Sequence, residues 1–152
     1  MLTIRTRSIT IADWYNYIEK VPQSNLLQSW DYGVAMLQTQ FKIPRFAVIE
    51  WEGREVGIFM LLEQKFFKLF TRISLERGPL WFSDKPSDAL LKAFFTWLHK
   101  RYPRRPWRSR WILPELPMSG HYHSLLTECG WQKKGTLYQS IWLDISADES
   151  TL

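Results

Sequence analysis

A chain of 152 residues has the length of one domain, read here as residues 1–144 followed by a tail over 145–152, and its 45% hydrophobic content supports a real core. The lone Cys129 excludes an internal disulfide and a cysteine-based metal site, and no apolar run reaches the length of a membrane span. A formal charge of +5 favours anionic partners: nucleic acid, phosphorylated ligands or an acidic membrane surface.

Without a signal-type apolar stretch at the N-terminus, and with one cysteine, a cytoplasmic protein with no integral membrane association is expected. Nine Trp, nine Phe and six Tyr exceed what one core readily buries, so a groove or a partner surface is expected to carry some of the rings.

Residues 2–6 alternate and predict a first strand. Thr10 with Asp13 has the spacing of a capping box and predicts a short helix through Trp14, Tyr17 and Ile18, ended by Pro22. Ser24 and Asn25 are read as the cap of a second helix through Leu27, Trp30, Val34 and Leu37. Residues 45–51 and 56–62 predict a hairpin whose turn, 52–55, uses Gly53 for positive φ. A basic, aromatic connector over 65–69 leads to a strand over 71–75.

Ser87 begins the clearest helix, with Leu90, Leu91, Phe94, Phe95 and Leu98 on one face and Pro103 beyond its end. A strand over 109–113 stops at Pro114, and a helix over 120–129 ends at Gly130. Residues 131–134 and 137–143 predict a last strand pair. The order is β-α-α-β-β-β-α-β-α-β-β, a mixed α/β (α+β) sheet with an antiparallel front half.

The strand-to-helix junction Arg77-Gly78-Pro79-Leu80-Trp81 stands out. Glycine and proline impose a special backbone path there, at the carboxyl end of a strand where α/β sheets hold ligands. It reads either as a ligand rim or as a turn in which Trp81 closes the core. Glu76 and Glu115 are the carboxylates nearest the strand ends and are the candidates to orient or deprotonate an amine. Against this, Glu76 could pair with Arg77 or Arg72. His121 and His123 lie on different helix faces, so no metal site is expected. Lys100, Arg101, Arg104, Arg105, Arg108 and Arg110 interleave with Tyr102, Trp107 and Trp111, a pattern suited to a polyanion, or simply to a solvated loop.

The element order resembles the GNAT N-acyltransferase fold. Gln28-Ser29-Trp30-Asp31-Tyr32-Gly33, the 53–57 hairpin, Arg77-Gly78-Pro79-Leu80-Trp81, Pro114-Glu115-Leu116-Pro117, Gly130-Trp131 and Tyr138-Gln139-Ser140-Ile141-Trp142-Leu143-Asp144-Ile145 together resemble the first half of Fem-type (FemABX-like) acyl/aminoacyl transferases over residues 24–149. That resemblance implies tandem GNAT-like domains that pass an amino acid from aminoacyl-tRNA to an amine-bearing acceptor, a peptidoglycan precursor in that family. It implies a substrate groove of Gln28, Ser29, Trp30, Tyr32, Glu76, Arg77, Gly78, Pro79, Trp81 and Tyr138, with Glu115 as catalytic orienter.

Three departures bear on chemistry. Met36 stands about where the family carries a phosphate-binding lysine, and Phe82 about where it carries an acidic residue. Both argue against a sugar-nucleotide peptide substrate. Pro79 removes a backbone donor from the junction where GNAT enzymes cradle the acetyl-CoA pyrophosphate, so acetyl-CoA is disfavoured as donor relative to aminoacyl-tRNA.

The family's chain continues past the Leu-Asp-Ile segment, so a one-domain relative or an incomplete unit is expected. The reading is an N-acyltransferase-like domain. The alternatives are a substrate-holding half completed by a second GNAT-like domain, a partner chain or a homodimer, and a basic module that binds tRNA or another nucleic acid.

Overall fold

Period-two alternation along the strands builds one sheet with two apolar faces. The computed structural model describes residues 1–6, 9–67, 69–116 and 119–133. Its strands are β1 (Leu2–Arg5), β2 (Ile43–Trp51), β3 (Arg54–Phe66), β4 (Phe70–Glu76), β5 (Leu80–Trp81) and β6 (Arg108–Leu113). Its helices are α1 (Ile11–Ile18), α2 (Trp30–Gln40), α3 (Asp88–Arg101) and α4 (Gly120–Glu128), with a 3-10 turn at Leu26–Gln28. The sheet order is β1-β2-β3-β4-β6, with β5 paired to β3. Strands β1 to β5 pair antiparallel, and β6 lies parallel to β4.

Ala47, Ile49, Phe59, Leu61, Ile73 and Leu75 point to one face, where Leu91, Phe94, Phe95 and Leu98 of α3 and Leu125 of α4 cover them. Val48, Ile58, Met60 and Leu62 point to the other, against Trp14 of α1 and the half-buried Trp30 and Met36 of α2. The predicted spacing of α3 is therefore its buried stripe. Ser87 caps it by accepting from Leu90 N–H at 3.3 Å. The Thr10–Asp13 capping box also forms. The β2–β3 turn places Gly53 at a φ of 78°, which glycine accommodates without strain, after Glu52 at 52°.

Two boundaries differ from expectation. Helix α2 starts after Ser29, whose hydroxyl accepts from Tyr32 N–H at 3.1 Å, so Ser24 and Asn25 do not cap it. Strand β5 is too short for a period to reveal. Trp131 to Lys133 carry no strand; the remainder of the expected last strand pair, the tail and Tyr138 lie outside the described residues. Among the described residues no helix is long and apolar enough to cross a membrane.

Candidate functional site

On its β4 and β5 side the ladder of β3 breaks once. Leu61 pairs with Leu75 of β4 and Ile58 with Leu80 of β5, so Phe59 and Met60 face four residues, 76–79. The surplus turns outward at Arg77, whose φ of +51° is left-handed, and continues through a cis Gly78–Pro79 bond. Such a bulge leaves backbone groups of β3 without ladder partners.

The Gln28 side chain supplies them. Its Nε2 donates to Met60 O at 3.2 Å and Glu76 O at 2.8 Å, and its Oε1 accepts from Met60 N–H at 2.7 Å. The amide thus stands in for the missing strand, and Gln28 is 0% exposed. Gly78 lies on this amide: a Cβ there would meet Gln28 Cδ at 2.8 Å, so glycine is required. Trp14 holds the turn from below, its indole N–H donating to Gln28 O at 3.1 Å.

The bulge is clamped from two further directions. Asn25 Nδ2 donates to Arg77 O at 2.8 Å, and Arg77 N–H donates to Leu113 O at 2.7 Å. The Arg77 guanidinium grips both carboxylate oxygens of Glu115, at 2.6 and 2.8 Å. That hydrogen bond, opposed by burial and aided by the carboxylate's charge, raises the Arg77 pKa further above its ordinary value. On the opposite side of the break, Tyr32 O–H donates to Glu76 Oε2 at 2.8 Å. Burial first, then the hydrogen bond and charge of Glu76, push the Tyr32 pKa from 10.0 up to about 12.

Several predicted groove residues are internal. Gln28, Gly78, Pro79 and Trp81 are buried. Trp81 packs edge-on to Phe94 at 5.7 Å, so of the two readings of the junction its ring follows the core-closing one. Trp30 stacks on Phe46 at 4.3 Å and Ser29 caps α2, which are packing and capping duties. The expected pairing of Glu76 with Arg77 or Arg72 is replaced by Tyr32, because Arg77 takes Glu115. Half-buried Tyr32, Glu76, Arg77 and Glu115 are what the break presents to solvent. Asn25 was missed as a clamp; its reading as a helix cap concealed an amide used across the fold.

The basic run does not join this site. The parallel register sets Thr71 beside Arg108 and Glu76 beside Leu113. The run therefore gathers where β4 and β6 begin, about 17 Å of strand from Glu76. Lys100, Arg101, Arg104 and Arg105 are exposed there, and Arg108 is half-buried. Arg110 is spent internally: it donates to Tyr102 O at 3.1 Å and His99 O at 3.4 Å at the end of α3 and lies 4.6 Å over the Trp131 ring. Burial, then the charge of Arg104, lower its pKa from the ordinary arginine value. These contacts engage its Nη1 and guanidinium face at the end of α3, apart from the exposed members of the run. No group of metal-ligating side chains occurs among the described residues.

The Tyr32 shift has a measurable consequence. Between pH 10 and about 12 the folded state keeps a proton that an unfolded tyrosine has lost, so this contribution is complete below pH 10 and falls as pH rises through that window. Tyr32→Phe is expected to be less stable than the parent by about 1 kcal/mol below pH 10. The gap should narrow as pH climbs, read from urea midpoints across the alkaline range.

No family model matches the chain, and no curated protein matches it. Solved structures do. A possible acetyltransferase from Clostridium difficile 630 superposes with a TM-score of 0.51 at 9% identity, over 95% of this chain and 99% of that one. Glucosamine-6-phosphate N-acetyltransferase from Arabidopsis thaliana gives 0.51 at 15% identity, again over 95% and 99%. FemX matches with a TM-score of 0.49 and 20% identity over 65% of this chain, which spans 24% of FemX's length. At these identities the first two matches show the fold alone: the chain has the mixed-sheet GNAT N-acyltransferase fold.

Proposed function

We propose that the chain transfers an acyl group to an amine at the break between β4 and β5. The observation that carries this reading is the Tyr32–Glu76 pair at the rim of a braced bulge, at the carboxyl end of a central strand, in an N-acyltransferase-like fold. Only one oxygen of Glu76 is engaged by Tyr32; among the described residues the other has no partner. That oxygen takes the proton of the attacking amine as the C–N bond forms. The bond from acyl carbon to the donor's oxygen or sulfur breaks, and the leaving atom takes its proton from the Tyr32 hydroxyl, which Glu76 restores. Arg77 and Glu115 hold the bulge and orient the acceptor; with both oxygens gripped by the guanidinium, Glu115 is the weaker base candidate.

Aminoacyl-tRNA is the proposed donor and acetyl-CoA the disfavoured one. Asp88 occupies the first turn of α3, paired to His121 at 3.0 Å, so a pyrophosphate at that helix terminus would meet a carboxylate. Such a donor fits a cytoplasmic location.

The full chain is to be incubated with aminoacyl-tRNA or acyl-CoA and a panel of primary amines, and products read by mass spectrometry. An aminoacylated amine is expected with the first donor. Transfer from acyl-CoA alone would overturn the donor assignment. No product from any donor, with amine binding retained, would favour the substrate-holding half.

A further inference from the structure

The end of the sheet opposite the Glu76 rim carries an apolar tip flanked by cations. Phe66 and Phe70 are the last pair of the β3–β4 hairpin. Beyond them Phe67, at a left-handed φ of +48°, is 91% exposed, and Leu69 is 71% exposed. Phe41, the left-handed cap of α2, lies at the same end and is 80% exposed; Gln64 Nε2 ties this region to Gln40 O at 2.9 Å. Leaving this much apolar side chain in water is unfavourable unless a partner covers it.

The loop between α3 and β6 arrives beside the tip, where Thr71 N–H donates to Trp107 O at 2.9 Å. Between loop and hairpin runs an open groove of about 620 Å³, lined among others by Phe70, Arg72, Arg104, Arg105 and Trp107. Arg72, Arg104 and Arg105 are exposed, and among the described residues none has a carboxylate in ion-pair range. The nearby carboxylate, Glu63, is taken by Arg45 at 3.3 Å and Lys65 at 3.9 Å. Unneutralised cations therefore flank the apolar tip on the side of β4 and the α3–β6 loop.

We propose that this end docks on an anionic lipid bilayer. Phe67 and Leu69 enter the headgroup–acyl boundary, and Arg72, Arg104 and Arg105 meet lipid phosphates. Charge complementarity selects an anionic partner, and the tip selects a membrane among anionic partners. Single-stranded nucleic acid would engage the rings that line the groove, Phe70 and Trp107, and leave the tip uncovered. Here the most exposed groups project at a hairpin tip, and Leu69 has no ring to stack. A bilayer interface accepts both an aromatic and an aliphatic wedge flanked by arginines. Docking this way leaves the Glu76–Arg77 rim at the other end of β4, facing water.

The test is flotation of the full chain with vesicles of phosphatidylcholine alone or mixed with phosphatidylglycerol. Binding is expected to the mixed vesicles only and to weaken as salt rises. Arg104→Ala with Arg105→Ala is expected to weaken it roughly thirtyfold. Phe67→Ser with Leu69→Ser, both at exposed positions, should weaken it about tenfold or more while leaving the urea midpoint unchanged. Equal binding to neutral vesicles, or full binding by the folded tip variant, would overturn the proposal. So would a chain that ignores vesicles but retains labelled oligouridylate, which would assign the same cations to nucleic acid.

Discussion

Gln28→Ala is expected to destabilise the domain by about 3–4 kcal/mol, more than any other single polar substitution at the site. The change strips partners from Met60 N–H, Met60 O and Glu76 O at once, in a place where the side chain is 0% exposed. Each orphaned buried group costs about 1–3 kcal/mol, and water entering the vacated volume recovers only part. With a urea slope of about 2 kcal/mol/M for a domain of this size, the midpoint should fall by roughly 1.5–2 M. Asn25→Ala removes one hydrogen bond at the rim and should cost about 1 kcal/mol. A loss below about 1 kcal/mol for Gln28→Ala would mean that the amide does not substitute for the missing strand.

The same residue explains why part of the molecule was legible in sequence and part was not. Helix α3 declared itself because its apolar spacing and Ser87 cap are local signals. The β2–β3 hairpin did so through Gly53, and the capping box through Thr10 and Asp13. The start of α2 did not, because a 3-10 turn at Leu26–Gln28 exists to aim one side chain at strands more than thirty residues away. Local propensity carries no record of such a contact.

The site was half visible for a related reason. The backbone path of Arg77-Gly78-Pro79 could be recognised from glycine and proline. Its partners depend on sheet register: setting Glu76 beside Leu113 is what brings Glu115 to Arg77, and setting Thr71 beside Arg108 is what carries the basic run to the far end. Tryptophan suits both a ligand and a core, so the sequence leaves Trp81 open, and only the fold shows its ring against Phe94. Part of the aromatic content lies at the surface, where Phe67, Phe41, Trp107 and Phe70 are exposed.

Glu76→Gln is the second large effect expected. The substitution keeps the side chain's size and an oxygen to accept from Tyr32, so folding should change little. It removes the group proposed to take the amine proton, and loss of a positioned base lowers turnover by about 10²- to 10⁴-fold. Because the amine is still held by the rim, KM should move far less than kcat. Glu115→Gln should show the reverse emphasis. It removes the charge and one of the two oxygens that grip the Arg77 guanidinium, which weakens the clamp on the bulge, raising KM and lowering the urea midpoint, with a smaller drop in kcat.

The most direct measurement is single-turnover formation of the amide product, by mass spectrometry, for the parent chain, Glu76→Gln and Glu115→Gln with the same donor and amine. The proposed chemistry at the β4–β5 break predicts product from the parent, a rate at least about 10²-fold lower for Glu76→Gln, and a milder loss for Glu115→Gln. Parental rates in Glu76→Gln, with the decisive loss in Glu115→Gln, would contradict it.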